Sequence, residues 1–275
     1  MPIWQIDSII NLLTEAGEIA LRHYAQPGAE LKPDHSLVTL ADTEIETFLK
    51  EKLSALGDNV LVLGEETGLS GLDADLGRPL FIVDPIDGTA PYAHHLPNWG
   101  ISIGYAENGV LVEGAVYLPV VDELYISEGD AVYLCELRNG RRQRLTPPDQ
   151  TFTDGSMIAI SQEIVKRGSL RMRNPMLAVC CAVVPLTGLL LGRCSAYVTC
   201  LKIWDIAGSL PMLAKLGIHP VGFDGLPFDL RVHEDNYHLD PAHPKRWRQH
   251  RPCFFAHDDA RPAILAALEW PTDWT

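Results

Sequence analysis

The chain has 275 residues, 47% of them hydrophobic, with 22 basic against 36 acidic side chains and a formal net charge of -14, which is enough for one large domain or two packed halves around a sizeable core. That balance excludes a nucleic-acid polymer or an anionic membrane held by charge alone, because such binding needs clustered Lys and Arg facing phosphate. It leaves room for a small phosphorylated metabolite, since bound divalent ions invert the local sign of an acidic pocket.

Residues 4–25 place Ile9, Leu12, Leu13, Ala16, Ile19 and Ala20 at helical spacing, with Asp7 or Ser8 as the cap. The Pro-bearing stretch 31–38 reads as a loop. A second amphipathic helix starts at Asp42 and presents Ile45, Phe48, Leu49, Leu53 and Leu56, with Thr39 and first-turn acids suited to its positive end. Residues 60–63 form a short apolar run that ends in Gly64-Glu65-Glu66, and residues 80–83 form another that ends in Asp84-Pro85-Ile86-Asp87-Gly88-Thr89. Pro85 removes a backbone donor where the ladder of that strand is expected to stop.

Strand-like runs follow at 101–105, 111–118, 123–126 and 131–134, punctuated by Asn108-Gly109, Gly129-Asp130 and Asn139-Gly140, so residues 100–145 predict an antiparallel meander. The segment 145–155, with Pro147-Pro148, marks the boundary between an N-terminal part, 1–146, and a C-terminal part, 147–275, that completes a cleft. Beyond it we read a strand at 157–160, a short helix at 187–191, a strand at 195–199 and a helix at 205–216. Residues 227–251 are polar, aromatic and histidine-bearing, which predicts irregular structure, and a last helix runs from near Asp259, with Pro262 in its first turn, to Trp270. Separate blocks of helix and antiparallel strand indicate an α+β fold of layered helices and sheets.

No apolar run approaches the roughly 18 residues of a spanning helix. The first 22 residues already hold Asp7, Glu15 and Glu18, unlike a signal peptide, so the expectation is a cytoplasmic protein without a membrane partner. Six cysteines (Cys135, Cys180, Cys181, Cys194, Cys200, Cys253) form neither a C-x-x-C pair nor a regular framework, which predicts reduced, mostly buried thiols and no functional signal in the adjacent Cys180-Cys181 pair.

The chemistry concentrates in acids at element ends: Glu65, the Asp84/Asp87 pair, and Asp205 in Trp204-Asp205-Ile206-Ala207-Gly208. A lone acid in such a place reads as a solvated turn residue, but several elements ending in charge without a function is costly local design. Mg²⁺ takes oxygen ligands, usually one or two carboxylates with water and substrate phosphate, and these three turns supply oxygen for more than one ion. In a tight turn, acids three apart converge on neighbouring metals, and the Ile86 carbonyl between them is free to ligate once Pro85 has interrupted pairing. Gly88 then permits close backbone approach, and the amides of residues 88–90 are placed as an anion cradle.

Competing chemistries fail on counting. An aspartyl phosphatase wants D-x-D-G-T, whereas Ile86 stands where the second acid belongs; an EF-hand from Asp84 finds Ile86, Gly88 and His95 at ligand positions. No Ser-His-Asp triad or Cys-x5-Arg loop is present, and a phosphate monoester needs charge neutralisation and placed water more than a covalent nucleophile. His94 and His95, and His233, His238, His243 and His250 at spacings of 5, 5 and 7, match no zinc motif and read as loop residues. Arg141, Arg142 and Arg144 read as a solvated hairpin edge. Trp247, Trp270 and Trp274 read as packing residues; for Trp99 or Tyr92 near the cleft, substrate stacking is the second reading after packing.

Five strings carry a resemblance: residues 37–42, Gly64-Glu65-Glu66, Asp84-Pro85-Ile86-Asp87-Gly88-Thr89, Gly192-Arg193-Cys194-Ser195-Ala196-Tyr197 and Trp204-Asp205-Ile206-Ala207-Gly208. In that order and spacing, over nearly the whole chain, the sequence resembles the inositol monophosphatase family of Mg²⁺-dependent, lithium-sensitive phosphatases. The resemblance implies a layered α/β/α/β/α sandwich with the site in the cleft between two halves, two or three Mg²⁺ ions, and a homodimer. It implies that Glu65, Asp84 and the Ile86 carbonyl hold one ion and Asp84, Asp87 and Asp205 a second. Glu65 and Thr89, the latter bonded to Asp42, would orient the attacking water; the Gly88 and Thr89 amides would take phosphate oxygens, with Asp87 and Asp205 at the substrate.

The implied activity is Mg²⁺-dependent hydrolysis of an inositol, sugar or polyol phosphate. Two alternatives are a 3'-phosphonucleotide phosphatase, which would show adenine stacking, and a non-catalytic metal-binding regulator, against which the Glu65 and Thr89 pair argues. Departures concern substrate. The family's ring-binding acid, seven residues before the Asp of the Trp-Asp string, is Val198 here; Thr89-Ala90-Pro91-Tyr92 lacks the inositol-type Asn-Phe; and Val184-Pro185-Leu186-Thr187 replaces a small stretch near the sugar. Lys32 corresponds to a basic residue near the metals only if a one-residue gap is allowed.

Overall fold

A computed structural model of the chain describes residues 2–33, 36–69 and 75–270. Helix α1 (Ile6–His23) buries Ile6, Ile9, Leu13, Ala16 and Ala20 on one face, as the spacing predicts. Its N-cap is Gln5, whose side chain bonds back to the Pro2 carbonyl rather than capping the helix; Asp7 lies inside the first turn, where its charge suits the dipole, and neither it nor Ser8 caps. The expected loop after it contains a two-stranded pair, β1 (Glu30–Leu31) and β2 (Leu37–Val38). Helix α2 (Leu40–Ser54) begins earlier than expected because Thr39 and Asp42 form a reciprocal capping box. Its buried face holds Ile45, Leu49 and Leu53 together with Asp42 and Glu46, while Phe48 is half-buried and Leu56 exposed.

The first sheet comprises β3 (Leu61–Gly64), β4 (Gly68–Leu69), β5 (Leu80–Asp87) and, after the short helix α3 (Thr89–Ala93), the meander β6 (Gly100–Glu107), β7 (Val110–Leu118), β8 (Glu123–Glu128), β9 (Ala131–Glu136) and β10 (Arg141–Arg144). The strand order is β10-β9-β8-β7-β6-β5-β3-β4, antiparallel throughout except for β3 with β5. Strand β5 does not stop at Pro85. It continues to Asp87 with a register shift between Asp84 and Asp87, so the proline sits in a bulge.

Residues 145–157 carry neither helix nor strand and lead to the second sheet. There follow β11 (Ile158–Ile160), α4 (Gln162–Arg167), β12 (Ser169–Leu170), β13 (Met176–Ala178), α5 (Val183–Leu190), β14 (Ala196–Thr199), α6 (Ile203–Ala207), α7 (Leu210–Lys215), β15 (Pro220–Gly222), β16 (Cys253–Ala256), α8 (Arg261–Ala267) and β17 (Leu268–Glu269). The second sheet has the order β13-β11-β14-β16-β15, parallel in its first three strands and antiparallel beyond. The helix expected over 205–216 is two helices, because Pro211 at the second position of α7 cannot continue the hydrogen-bond ladder of α6.

Packing stacks these elements in five layers. Leu13 of α1 and Leu49 of α2 meet Phe81, Ile101 and Ile103 on one face of the first sheet. Its other face, with Ile82 and Val116, meets Leu186, Ile206 and Leu213 of the central helices, and that cluster continues to Phe255 of the second sheet. Phe254, one residue away and therefore on the opposite face, joins Val198, Ile164 of α4 and Ile264 of α8. The result is helix, sheet, helix, sheet, helix. No helix among the described residues is long and apolar enough to cross a membrane. Trp247 is buried, and Trp274 lies outside the described residues.

Candidate metal centre and cleft

Strand β5 delivers Asp84 and Asp87 to the point where the central helices meet the first sheet. Helix α6 can reach them because glycines remove the side chains between: a Cβ on Gly114 would stand 2.1 Å from the Gly208 carbonyl oxygen, and one on Gly208 would stand 2.4 Å from Ser102 Oγ. Ser102 pairs with Asp84 in the sheet, and its hydroxyl lies 3.5 Å from the Trp204 carbonyl, so the start of α6 is seated beside Asp84. One carboxylate oxygen each from Asp84, Asp87 and Asp205 then lie within 4.8 Å of one another. Residues about 120 apart in sequence converge on one spot.

The three acids differ in what holds them. Asp87 Oδ2 accepts bonds from the amides of Ala182, at 2.7 Å, and Val183, and from the Cys181 thiol at 3.2 Å. Asp205 Oδ2 accepts from the Lys202 amide at 2.9 Å. Asp84 is fully buried, and neither of its oxygens has a hydrogen-bond partner among the described residues. An ionised carboxylate in that position is untenable without a cation. Burial raises the Asp84 carboxyl well above the usual range, and the charges of Glu65 and Asp87 push it further. Burial and then the Asp205 charge raise Asp87 to about 7, against the pull of its three donors. Burial raises Asp205 as well, opposed by its bond to the Lys202 amide and by the charges of Lys202 and Arg248. Hard oxygen donors crowded together, one of them orphaned, fit Mg²⁺.

Glu65 stands on the wall of the same cleft, a space of ≈ 330 Å³ that Asp87 and Asp205 also line, but outside the tight three-acid group. Burial, followed by the Asp205 charge, raises its carboxyl to about 8. Its turn is fixed from below by Glu46, whose oxygens accept from the Glu66 amide at 2.8 Å, the Thr67 amide at 2.8 Å and Thr67 Oγ1 at 2.6 Å. Gly64 is glycine because a Cβ there would meet the Glu46 carboxyl carbon at 2.3 Å. Lys32 Nζ lies 2.6 Å from Glu66 and 3.7 Å from Glu65. Burial lowers the Lys32 pKa, but the charges of Glu65 and Glu66 outweigh it and the net shift is upward.

Thr89 Oγ1 lies 3.2 Å from Asp42 Oδ1 and 3.2 Å from the Ile86 carbonyl, and its single proton serves one of them at a time. Asp42 is itself buried, raised to about 6 by that burial and held down by the Thr39 donors. Gly88 has φ 94°, a left-handed conformation that glycine adopts without strain, and a Cβ there would stand 2.9 Å from the Asn98 carbonyl oxygen. Two sequence readings meet the structure here. Tyr92 and Trp99 are fully buried and pack edge-to-face on each other, so neither is a stacking platform in the cleft. Cys180 and Cys181 both line the cleft, Cys180 exposed and Cys181 bonded to Asp87.

Glu46 and the Cys181-Ala182-Val183 clamp were missed by sequence reasoning. An acid on the apolar face of α2, between Ile45 and Leu49, is a signal for the first; amides carry none for the second. The histidines are loop residues as expected, with His238 stacked on His243 at 3.9 Å and near His250 at 3.9 Å.

Comparisons with known proteins agree with this geometry. The family model described as the inositol monophosphatase family matches residues 5–250. The chain is similar to an inositol-1-monophosphatase of Bacillus subtilis, 30% identical over 78% of this chain and 88% of that one. It is also similar to a fructose-1,6-bisphosphatase/inositol-1-monophosphatase of Thermotoga maritima, 28% identical over 80% and 86%. Among solved structures, a Thermotoga maritima IMPase aligns with TM-score 0.75 at 21% identity, each chain covered to 95%. An IMPase/NADP phosphatase in complex with Mg²⁺ and phosphate aligns with TM-score 0.75 at 19% identity, covering 96% of this chain and 95% of that one. Those two share the fold, and the match of the family model over residues 5–250 settles the rest: the chain belongs to the inositol monophosphatase family and is a phosphoric monoester hydrolase.

Proposed function

We propose that the chain hydrolyses the phosphate monoester of a small polyol, sugar or related metabolite by direct attack of water, with two or three Mg²⁺ ions as its resident cofactor. The observation that carries this reading is the buried, unpartnered Asp84 carboxylate beside Asp87 and Asp205. Glu65, Asp84 and the Ile86 carbonyl would hold one ion, and Asp84, Asp87 and Asp205 another. Bound there, Mg²⁺ supplies charge neutralisation of the phosphate and makes water acidic enough to attack near neutral pH.

The chain's own residues do the positioning. With its proton committed to Asp42, Thr89 Oγ1 offers lone pairs to one hydrogen of the attacking water, and Glu65 accepts the other. The Gly88 and Thr89 amides, which no side chain at Gly88 obstructs, receive phosphate oxygens. The amides of Ala182 and Val183 hold one oxygen of Asp87, which lines the cleft, and Asp205 would complete that side towards the leaving alcohol. The reading tests directly as phosphate release from a panel of metabolite monoesters with and without Mg²⁺. We expect Mg²⁺-dependent release, and a fall of about 10³-fold or more in kcat/KM for Asp84→Asn and Asp87→Asn. Release that is indifferent to Mg²⁺, or unchanged in both variants, would contradict it.

A further inference from the structure

We propose that Glu163, with the Ser161 hydroxyl beside it, is the specificity-determining residue of this cleft and takes hydrogen bonds from free hydroxyls of the leaving alcohol. The inference rests on the monoesterase reading above and assigns its selectivity to a named side chain. Ser161 follows β11 and Glu163 stands on α4, and both line the cleft that Glu65, Asp87 and Asp205 share. The protein satisfies neither in full. Ser161 is 5% exposed, and its hydroxyl has no hydrogen-bond partner among the described residues. Glu163 Oε2 is buried and accepts no hydrogen bond among them either. Two neighbouring polar groups short of partners in one wall carry a desolvation penalty that a hydrogen-bonding ligand relieves.

The charges around Glu163 indicate which ligand. Arg248 Nη2 lies 3.6 Å from Glu163 Oε1 and Arg167 Nε 3.4 Å from Oε2, so the charge is balanced at ion-pair distance while Oε2 still lacks a hydrogen to accept. Lys202 lines the same cleft, and the wall therefore carries both signs. A second anion on the substrate would face Glu163, and an apolar alcohol would leave both orphaned groups as they are. A hydroxyl donates to the carboxylate and accepts from the Ser161 hydroxyl or the Arg248 guanidinium, so adjacent hydroxyls find a donor and an acceptor side by side. Strand β14 offers no acceptor from the position where the resemblance implies one. Val198 is buried in the outer core with Phe254 and Ile164, and Ile164 is the residue after Glu163. The packing that takes Val198 out of the cleft thus anchors the helix that carries Glu163.

The test uses the Mg²⁺-loaded full chain and two probes built on one ring: inositol 1-phosphate, which carries free hydroxyls, and cyclohexyl phosphate, which carries none. We expect kcat/KM to favour the first about ten-fold or more, since a site built to bond a hydroxyl rejects the analogue that lacks it. In Glu163→Gln that ratio should fall at least about five-fold, through KM for inositol 1-phosphate, with cyclohexyl phosphate and inhibition by inorganic phosphate unchanged. Ser161→Ala should raise the same KM with a melting temperature equal to the parent's or higher, because it removes a buried hydroxyl that has no partner. A serine with a merely structural role would do the reverse. Equal efficiency on the two probes, equal losses on both in Glu163→Gln, or a Ser161→Ala variant that melts lower with KM unmoved overturns the assignment; should Glu163→Gln fail to fold, Ser161→Ala decides alone. Absence of Mg²⁺-dependent release from both probes sinks the monoesterase reading instead. Glu163 is then judged by the rise in melting temperature that inositol 1-phosphate produces with Mg²⁺, which must weaken in Glu163→Gln if the inference is right and persist if it is wrong.

Discussion

Glu46 shows how a residue remote from the reacting atoms governs the site. Its two oxygens take three donors from Glu66 and Thr67, and that sets where Glu65 stands. Glu46→Gln exchanges one acceptor for an amide that faces those donors, so we expect a loss of about 1–3 kcal/mol, seen as a lower urea midpoint at unchanged slope, and a fall in kcat larger than any change in KM. An unchanged midpoint would show that the turn holds itself. At this scale the acids Glu65, Asp84, Asp87 and Asp205 were legible because each ends an element in charge. The Asp87 clamp was not, because two of its three donors are the amides of Ala182 and Val183. The Cys181 thiol was passed over since nothing local ties it to an aspartate 94 residues away.

Between elements, the decisive contact is α6 lying on β5 and β6, with Gly208 at its C-terminal end against β7 and almost nothing between them. Gly114 faces the Gly208 carbonyl, and a methyl group there has nowhere to go but into the helix backbone. For Gly114→Ala we expect about 1–3 kcal/mol of destabilisation from overpacking, with weaker Mg²⁺ activation because Asp205 is pushed away from Asp84. Full stability in a melt with a normal Mg²⁺ requirement would contradict this account of α6. The strands of the meander were readable from their turns, where Asn108, Gly109, Gly129 and Gly140 take positive φ. Strand β16 was not, because Phe254 and Phe255 serve cores on opposite faces and leave no apolar and polar alternation. The break before Pro211 was readable in principle; the unbroken helical spacing on both sides of it hid the break.

Across the whole molecule, the fold holds together acids that repel one another until a cation arrives. The folded-state pKa values of Asp42, Asp87 and Glu65, at about 6, 7 and 8, lie above those of an unfolded chain, so the metal-free folded state binds more protons. Their contribution to stability is therefore fully present below about pH 4 and is lost as pH rises through 6 to 8. In EDTA the melting temperature should decline across that window, and Mg²⁺ should raise it most at the alkaline end. A flat profile in EDTA, or a Mg²⁺ effect independent of pH, would speak against the crowding. The layering was legible from separate blocks of helix and strand, but five layers followed only from the family resemblance, since no single residue reports which sheet its element will cover.

The most direct measurement is the anomalous diffraction of crystals grown with Mn²⁺ in place of Mg²⁺ and with inorganic phosphate. The account predicts peaks within about 2.5 Å of oxygens from Asp84, Asp87 and Asp205, with phosphate against the Gly88 and Thr89 amides. Occupied Mn²⁺ sites elsewhere, with Asp84 still alone in its pocket, would contradict it.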